Sequence, residues 1–266
     1  MPPVGANGSN VSFVTDTPAR PARRIQAGPV RLSFRAWNFA PAPGAGPGPG
    51  HRGSPPVVLL HGPGEDAADW EPLAVSLAPA WRVHAPDLRG HGDSEHSGPY
   101  TVDQLTADVE AFVDALGLRR VALVGHSIGA VPAYLFAAKH PDRVIRLVLE
   151  EPVPPFPRAP LDLQPHLDQR RERAGEPSFD PDAMALSSEF TEPPAAWRDA
   201  LGDVTAPTLL IAGGPDSHLD QDQLAEMAAL IPDCELTTIP AGHRVHACDP
   251  DTFAETVTAF LGAGQP

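Results

Sequence analysis

The sequence GHSIG at residues 125–129 places a serine between an apolar run and an apolar helical pattern. This G-x-S-x-G spacing is typical of a sharp strand-to-helix turn that lifts the serine oxygen above a sheet, because small residues let the chains pass closely. The turn also directs the backbone N–H of Ile128 toward charge that develops on a substrate. The motif alone is weak, since Gly-rich turns also serve packing, but its position favours Ser127 as a nucleophile.

Serine is a poor nucleophile unless a base takes its proton, so a histidine is expected downstream at another strand end. His243 meets this requirement, because it lies in the first loop beyond the apolar run at residues 236–239. His246 is close enough in sequence to compete, and any of the 11 histidines could fall in a loop. The position directly after the strand favours His243 as the base.

The base in turn requires a carboxylate that fixes its tautomer and stabilises its cation. Asp216 follows the apolar run at residues 208–212 through a GGP turn, which can present a side chain at the carboxyl edge of a parallel sheet. We therefore expect Asp216 to orient His243. Glu150 and Glu151, at the end of the preceding predicted strand, are the alternative acids, and a structural role is the competing interpretation for both.

The elements that position these groups follow from hydrophobic patterning. Short apolar runs alternate with amphipathic segments, which is the pattern of buried parallel strands joined by crossover helices. The helix at residues 102–116 is the clearest, because its apolar residues form one stripe and Thr101 with Gln104 makes a capping box. The predicted strands are residues 24–26, 30–37, 57–60, 82–85, 121–124, 144–149, 208–212 and 235–239, and the predicted helices are residues 70–77, 102–116, 128–139, 221–231 and 251–261, with a short helical pattern at 195–201.

Composition divides the chain into a tail, a core and an insertion. Residues 1–24 show no sustained period and predict a flexible tail. The core is expected to comprise residues 25–151 and 207–262, with a Pro/Gly-rich surface loop at 41–55. Residues 152–206 are too long for an ordinary connection and predict a lid over the site. A loosely packed surface excursion is the alternative interpretation of that segment.

The charge balance limits the classes of partner. There are 34 acidic and 19 basic residues, giving a net charge of -15, which disfavours binding to nucleic acid or to an anionic membrane surface. A small-molecule substrate is the expected partner. Two cysteines do not make a disulfide framework, and no segment reaches the roughly 18 apolar residues of a membrane span. We therefore expect a reduced, cytoplasmic setting, and the sequence does not indicate an oligomeric state.

Five motifs, in order, resemble those of the α/β-hydrolase superfamily over most of residues 26–261. The resemblance implies an α/β fold with an eight-stranded, mostly parallel sheet flanked by helices, a lid after the sixth strand, and the chain order serine, acid, histidine. It also implies that Arg89 and Asp93 brace the site. The motifs are VVLLHG at residues 57–62, DLRGHGDS at 87–94, GHSIG at 125–129, GGPD at 213–216 and AGH at 241–243, with Trp70 between the first two.

The sequence departs from the family pattern at one position. In relatives the residue after the His-Gly pair donates a backbone N–H to the oxyanion, and here that residue is Pro63, which has no N–H. Losing one such donor costs on the order of 10²-fold to 10³-fold in rate. Gly64 is the alternative donor beside Ile128, because glycine permits close backbone approach.

Together these residues predict a serine hydrolase that cleaves a carboxylic ester or thioester through Ser127, His243, Asp216 and an acyl-enzyme. No cofactor and no metal are expected. The serine argues against dehalogenases and epoxide hydrolases, which resemble this chain but carry an aspartate at the nucleophile position. The alternative is a catalytically silent or slow binding protein on the same fold. Pro63 supports that alternative, and the complete set of triad residues opposes it.

Overall fold

The computed structural model describes residues 21–37, 55–160, 164, 167, 168, 171, 172 and 178–263. The predicted tail at residues 1–24 and the predicted loop at 41–55 therefore lie almost wholly outside the described residues. Part of the segment expected to form a lid lies outside them as well.

A single eight-stranded sheet forms the centre of the described structure. Its strands are β1 (Arg23–Ala27), β2 (Val30–Trp37), β3 (Val57–Leu60), β4 (Val83–Pro86), β5 (Val121–His126), β6 (Val144–Glu150), β7 (Thr208–Ala212) and β8 (Cys234–Thr238). Their order across the sheet is β1-β2-β4-β3-β5-β6-β7-β8. The pairs β1–β2 and β2–β4 are antiparallel and the other neighbouring pairs are parallel. This confirms the predicted eight-stranded, mostly parallel sheet.

Helices cover both faces of the sheet, so the near-continuous apolar strands are buried from both sides. The α-helices are α1 (Glu71–Leu77), α2 (Val102–Ala115), α3 (Ala130–Lys139), α4 (Ala195–Leu201), α5 (Gln221–Leu230), α6 (Val245–Cys248) and α7 (Pro250–Gly262). Phe112 of α2 and Tyr134 of α3 lie in the hydrophobic cluster on one face, whereas Leu77 of α1 and Phe253 of α7 lie in the cluster on the other. Within the described ranges, no helix has both the length and the apolar character needed to cross a bilayer.

The helix predicted at residues 128–139 differs at its start. A 3-10 turn, Ser127–Gly129, precedes α3, so the chain tightens directly after β5 before the regular helix begins. A short helix, α6, and a 3-10 segment, Pro181–Phe190, were not predicted. The four residues of α6 are too few to show a periodic pattern, and a 3-10 segment turns every three residues and so does not follow the α-helical period.

The described part of the segment after β6 packs on the loop that follows β4. The backbone N–H of Gly92 donates to the carbonyl of Ser178 at 2.7 Å, and that of Asp180 donates to Gly90 at 2.7 Å. Tyr100 donates its hydroxyl to the carboxylate of Asp180 at 2.6 Å. These bonds attach the described part of the segment to the carboxyl side of the sheet, where ligand sites of parallel sheets form. Its action as a lid stays a prediction.

Candidate active site

Ser127 lies at a strained turn directly after β5. Its φ is +52°, a left-handed conformation that a residue with a side chain seldom adopts. The flanking glycines permit the turn, because a Cβ at Gly125 would lie 2.6 Å from Cα of Ala130, and a Cβ at Gly129 would overlap the carbonyl oxygen of His61. The GHSIG sequence therefore forms the sharp strand-to-helix turn that its spacing predicts.

The structure brings Ser127 and His243 together. Nε2 of His243 lies 3.0 Å from Oγ of Ser127, and both residues are buried. His246, the competing histidine, instead places Nδ1 2.8 Å from the carboxylate of Glu150. Of the two histidines, His243 is the one in contact with the serine.

The carboxylate that lies beside Nδ1 of the base is Glu151, and the backbone of the expected acid, Asp216, lies next to Gly242 in the base loop. Oε2 of Glu151 lies 3.1 Å from Nδ1 of His243, and the Glu151 side chain is fully buried. Asp216 is exposed on the turn after β7. The structure thus corrects the sequence-based choice in favour of an alternative that the sequence left open.

Strand register explains why Glu151 occupies this place. His126 of β5 pairs with Glu150 of the adjacent parallel strand β6, so Ser127 and Glu151 leave the sheet side by side. Glu151 has a φ of +44°, which turns its side chain across the end of β7. A carboxylate directly after the strand next to the serine strand was the signal in the sequence that could have identified it.

Three donors hold the Glu151 carboxylate. The backbone N–H of Gly213, the hydroxyl of Ser217 and the side-chain amide of Gln221 all donate to it. Burial raises the pKa of Glu151 above its ordinary value, and the bonds from Ser217, Gly213 and Gln221 oppose that rise. The carboxylate is fixed in position by the turn after β7 and by α5.

A second set of buried ionisable groups lies behind the triad. We call Glu65, Asp69, His126, Glu150, Arg244 and His246 the ion network. His126 places Nδ1 3.0 Å from Oε2 of Glu65 and Nε2 3.0 Å from the backbone carbonyl of His243. Arg244 donates from Nε to Oε1 of Glu65 at 2.8 Å and from a terminal nitrogen to Asp69 at 2.9 Å.

The charges in the ion network shift one another's pKa values. Burial alone lowers the pKa of His126, but the carboxylates of Glu65 and Glu150 raise it to about 9. Burial would raise the pKa of Glu65, but His126, His246 and Arg244 hold it well below its usual range. The sequence analysis missed this network, because its members are scattered along the chain.

Three members of the ion network are of residue types that can bind a metal ion. Ligand atoms of Glu65, His126 and His246 come within 4.8 Å of one another, close enough to share an ion. Nδ1 of His126 and both Glu65 oxygens are, however, already engaged with each other and with Arg244. We therefore describe the cluster as a set of ion pairs.

The turn after β3 carries the two expected oxyanion positions. The backbone N–H of Glu65 bonds the carbonyl of Gly62 at 3.3 Å, which closes a turn with Pro63 and Gly64 at its centre. Gly64 has a φ of +68°, and a proline followed by a left-handed glycine is typical of a type II turn. The N–H of Gly62 is engaged by Glu65 at 2.7 Å. Pro63 has no N–H, so Gly64 carries the available donor of this turn.

Two further residues border the site. The exposed ring of His218 lies 4.2 Å from that of His243, centroid to centroid, and the sequence analysis did not identify it. Leu167, from the segment after β6, is buried and packs directly on Gly64, so closely that a Cβ on Gly64 would overlap its side chain. The serine site is therefore covered on the side of the oxyanion turn.

Arg89 and Asp93 take structural positions, as the family resemblance implies. Arg89 makes two bonds, of 2.6 and 2.7 Å, to the carboxylate of Asp108, and both side chains are buried. The backbone N–H of Asp93 donates to Asp87 at 3.1 Å. Asp87 also accepts from the N–H of Ala67 at 2.8 Å, so this loop braces the chain that follows the oxyanion turn.

Comparison with known proteins agrees with the fold. Residues 55–176 match the family model described as alpha/beta hydrolase fold. The chain is 30% identical to the lipase LipV of Mycobacterium tuberculosis, over 80% of this chain and 95% of that protein. It is 31% identical to 2-hydroxy-6-oxo-2,4-heptadienoate hydrolase of Pseudomonas putida, over 78% of this chain and 89% of that protein.

Among solved structures, a hydrolase from Pseudomonas aeruginosa superposes with a TM-score of 0.74 at 25% identity, covering 92% of this chain and all of the other. Residues 55–176, which match the family model, contain the oxyanion turn, the serine turn and Glu151. The sheet order, the serine turn and these likenesses agree, and the chain is a member of the α/β-hydrolase family.

Proposed function

We propose that the protein is a serine hydrolase that cleaves a carboxylic ester or thioester through an acyl-enzyme on Ser127. The observation that supports this most directly is the hydrogen-bonded chain from Ser127 through both ring nitrogens of His243 to the buried carboxylate of Glu151. General-base activation of a serine hydroxyl needs this arrangement of groups at these distances.

Glu151 sets the tautomer of the base. Because its carboxylate accepts the Nδ1–H of His243, the lone pair of Nε2 faces the Ser127 hydroxyl. As Oγ of Ser127 bonds the carbonyl carbon of the substrate, its proton passes to Nε2. The imidazolium then gives that proton to the leaving alcohol or thiol as its bond to the carbonyl carbon breaks. A water molecule, deprotonated by the same nitrogen, bonds the acyl carbon, and the imidazolium returns that proton to Oγ of Ser127 as the acid is released.

The oxyanion formed in each step needs hydrogen-bond donors. The N–H of Ile128 belongs to the first turn after the serine, where amides have no partner within the helix. We assign the second donor to Gly64, because the turn centred on Pro63 and Gly64 offers that N–H. This arrangement supplies two donors in spite of the proline.

The relatives support hydrolysis more broadly than they support ester specificity. One is named as a lipase and another as a hydrolase of 2-hydroxy-6-oxo-2,4-heptadienoate. The chemistry that we assign to Ser127 suits any activated carbonyl, and ester or thioester cleavage is the simplest reaction that it performs.

Labelling with a fluorophosphonate probe, followed by intact-mass measurement, tests the proposal. We expect one equivalent of label on the wild-type protein and on the control Ser76→Ala, which changes an exposed serine of α1, and none on Ser127→Ala. Ester and thioester substrates with matched acyl chains then identify the leaving group. A folded wild-type protein that takes no label, or a Ser127→Ala variant that still does, contradicts the proposal.

A silent binding protein is the second candidate, and Pro63 is the observation that favours it. The variant Pro63→Ala separates the two functions, because it restores an N–H at the usual donor position. An unchanged labelling rate is expected if Gly64 already fills that place. A rise on the order of 10²-fold or more would show that a donor is missing in the wild-type protein and that the wild-type protein is at best a slow enzyme.

A further inference from the structure

One buried carboxylate contacts all three segments that carry the proposed reacting groups. Oε2 of Glu65 accepts the N–H of Gly62 at 2.7 Å and lies 3.0 Å from Nδ1 of His126, while Oε1 accepts Nε–H of Arg244 at 2.8 Å. Gly62 begins the oxyanion turn. His126 directly precedes Ser127, and Arg244 directly follows His243.

The contacts of His126 require it to carry two protons. Its Nε2 faces the backbone carbonyl of His243, which can only accept, so Nε2 holds one proton. Its Nδ1 faces Glu65, whose two oxygens receive N–H groups from Gly62 and Arg244 and whose pKa the neighbouring cationic groups hold well below its usual range, so its carboxylate is ionised. Nδ1 must then hold the second proton, and His126 is an imidazolium.

This imidazolium fixes the backbone of the catalytic base. The bond from Nε2 of His126 to the carbonyl of His243 is 3.0 Å long and fully buried, and the two rings lie 4.9 Å apart, centroid to centroid. Arg244 is held on its other side by Asp69, at 2.9 Å. The loop that carries His243 is thus tied at the base itself and at the next residue.

The remaining charged groups around His126 also favour its protonation. Glu150 of β6 and His246 of α6 form their own pair, and the His246 ring lies 4.8 Å from that of His126. Glu65, Asp69 and Glu150 supply three carboxylates, whereas Arg244 supplies one guanidinium, so the network has an excess of acidic groups. A proton on His126 therefore compensates charge that would otherwise be buried and unpaired.

We propose that Glu65 is a positioning residue that, through protonated His126 and through Arg244, holds the oxyanion turn, the serine turn and the base loop in one fixed arrangement. This inference rests on the proposed function, because it assigns Glu65 to the alignment of that reaction. Glu65 itself touches no reacting atom in the mechanism. Misplacement of a catalytic group by about 1 Å can cost on the order of 10²-fold in rate, which sets the scale of the expected effect.

The variant Glu65→Gln tests the proposal, because it keeps the shape of the side chain but cannot hold two cations. Its matched control is Glu110→Gln, which likewise removes a carboxylate that contacts two basic side chains, Lys139 and His140, but lies on α2 outside the site. Both variants should lower the melting temperature. Only Glu65→Gln should slow the chemical step of fluorophosphonate labelling, by about 10-fold to 100-fold, with probe binding before that step little changed.

Nuclear magnetic resonance of ¹⁵N-histidine protein supplies a readout that does not depend on catalysis. At neutral pH we expect the ring of His126, assigned by loss of its signals in His126→Gln, to carry two protons in the wild-type protein and one in Glu65→Gln. The Nδ1–H signal of His243 should also shift or broaden in Glu65→Gln. If Glu65→Gln does not fold, His126→Gln takes its place in the labelling assay and should show the same loss.

The outcomes separate this inference from the proposed function. Absence of labelling in the wild-type protein would overturn the hydrolase proposal, while the His126 and His243 signals would still decide whether Glu65 positions the base. A neutral His126 in the wild-type protein, or a folded Glu65→Gln that labels at the wild-type rate, overturns the positioning role. So does one equivalent of a divalent metal in purified wild-type protein that is lost in His246→Gln, because that ion would replace the proton between Glu65 and His126.

Discussion

At the scale of single residues, Glu151 and Asp216 differ in surroundings rather than in functional group. Glu151 is buried and held by donors from Gly213 and Ser217, whereas Asp216 is exposed. A carboxylate can set the tautomer of a buried imidazole only if it keeps one orientation, and those donors provide it.

We predict that Glu151→Gln will lower the rate of ester hydrolysis on the order of 10⁴-fold, because an amide NH₂ facing Nδ1 favours the wrong tautomer of His243. Asp216→Asn, the matched control, should leave the rate unchanged. Steady-state kinetics on one ester substrate measures both variants. Loss of activity in Asp216→Asn with retention in Glu151→Gln would return the role to Asp216.

The sequence was sufficient to predict Ser127 and His243, because each follows an apolar strand at a short, readable spacing. It was not sufficient to choose the acid, since carboxylates follow both β6 and β7. That choice depends on strand register and on the φ of Glu151. The role of Glu65 was not predictable, because its partners His126 and Arg244 lie 61 and 179 residues away in the chain.

At the scale of elements, the ends of β7 and β8 approach so closely that only glycine fits between them. A Cβ on Gly213 would overlap the backbone carbonyl of Gly242, the residue before His243. The N–H of Gly213 also donates to Glu151, and the N–H of Gly242 donates to the carbonyl of Gly213 at 2.9 Å. Gly213 therefore contacts both the carboxylate of Glu151 and the loop that carries His243.

We expect Gly213→Ala to push the base loop away from Glu151 and to slow serine labelling on the order of 10²-fold. Gly202→Ala is the control, because a Cβ there would lie 3.5 Å from the carbonyl of Asp199, an ordinary contact. Labelling rates and thermal melts of both variants check this. If Gly213→Ala is labelled at the wild-type rate, the two loops can separate without misplacing His243.

At the scale of the whole molecule, the buried imidazolium makes folding depend on pH. The folded state raises the pKa of His126 from an ordinary 6.5 to about 9, because Glu65 and Glu150 outweigh the effect of burial. The folded protein therefore binds this proton more tightly than the unfolded chain does. The stabilisation is complete below pH 6.5 and is lost as the pH rises through about 9.

We predict that the melting temperature of the wild-type protein will fall between pH 6.5 and about 9 more steeply than that of His126→Gln, which lacks the titrating group. Differential scanning calorimetry across this range, in buffers of matched ionic strength, measures the difference. Parallel curves for the two proteins would mean that His126 does not hold an extra proton in the folded state.

The left-handed backbone at Ser127 and Glu151 affects which substitutions would raise the thermal stability of the protein. Among the described residues other than glycine, these two are the ones with positive φ. Each such conformation costs about 1 kcal/mol or more, so Ser127→Gly should melt at a higher temperature than Ser127→Ala although both are inactive. A population of variants screened for thermal stability alone would therefore accumulate glycine at position 127 and drift toward well-folded proteins without a reactive serine. Only a screen that also demands turnover would keep the serine.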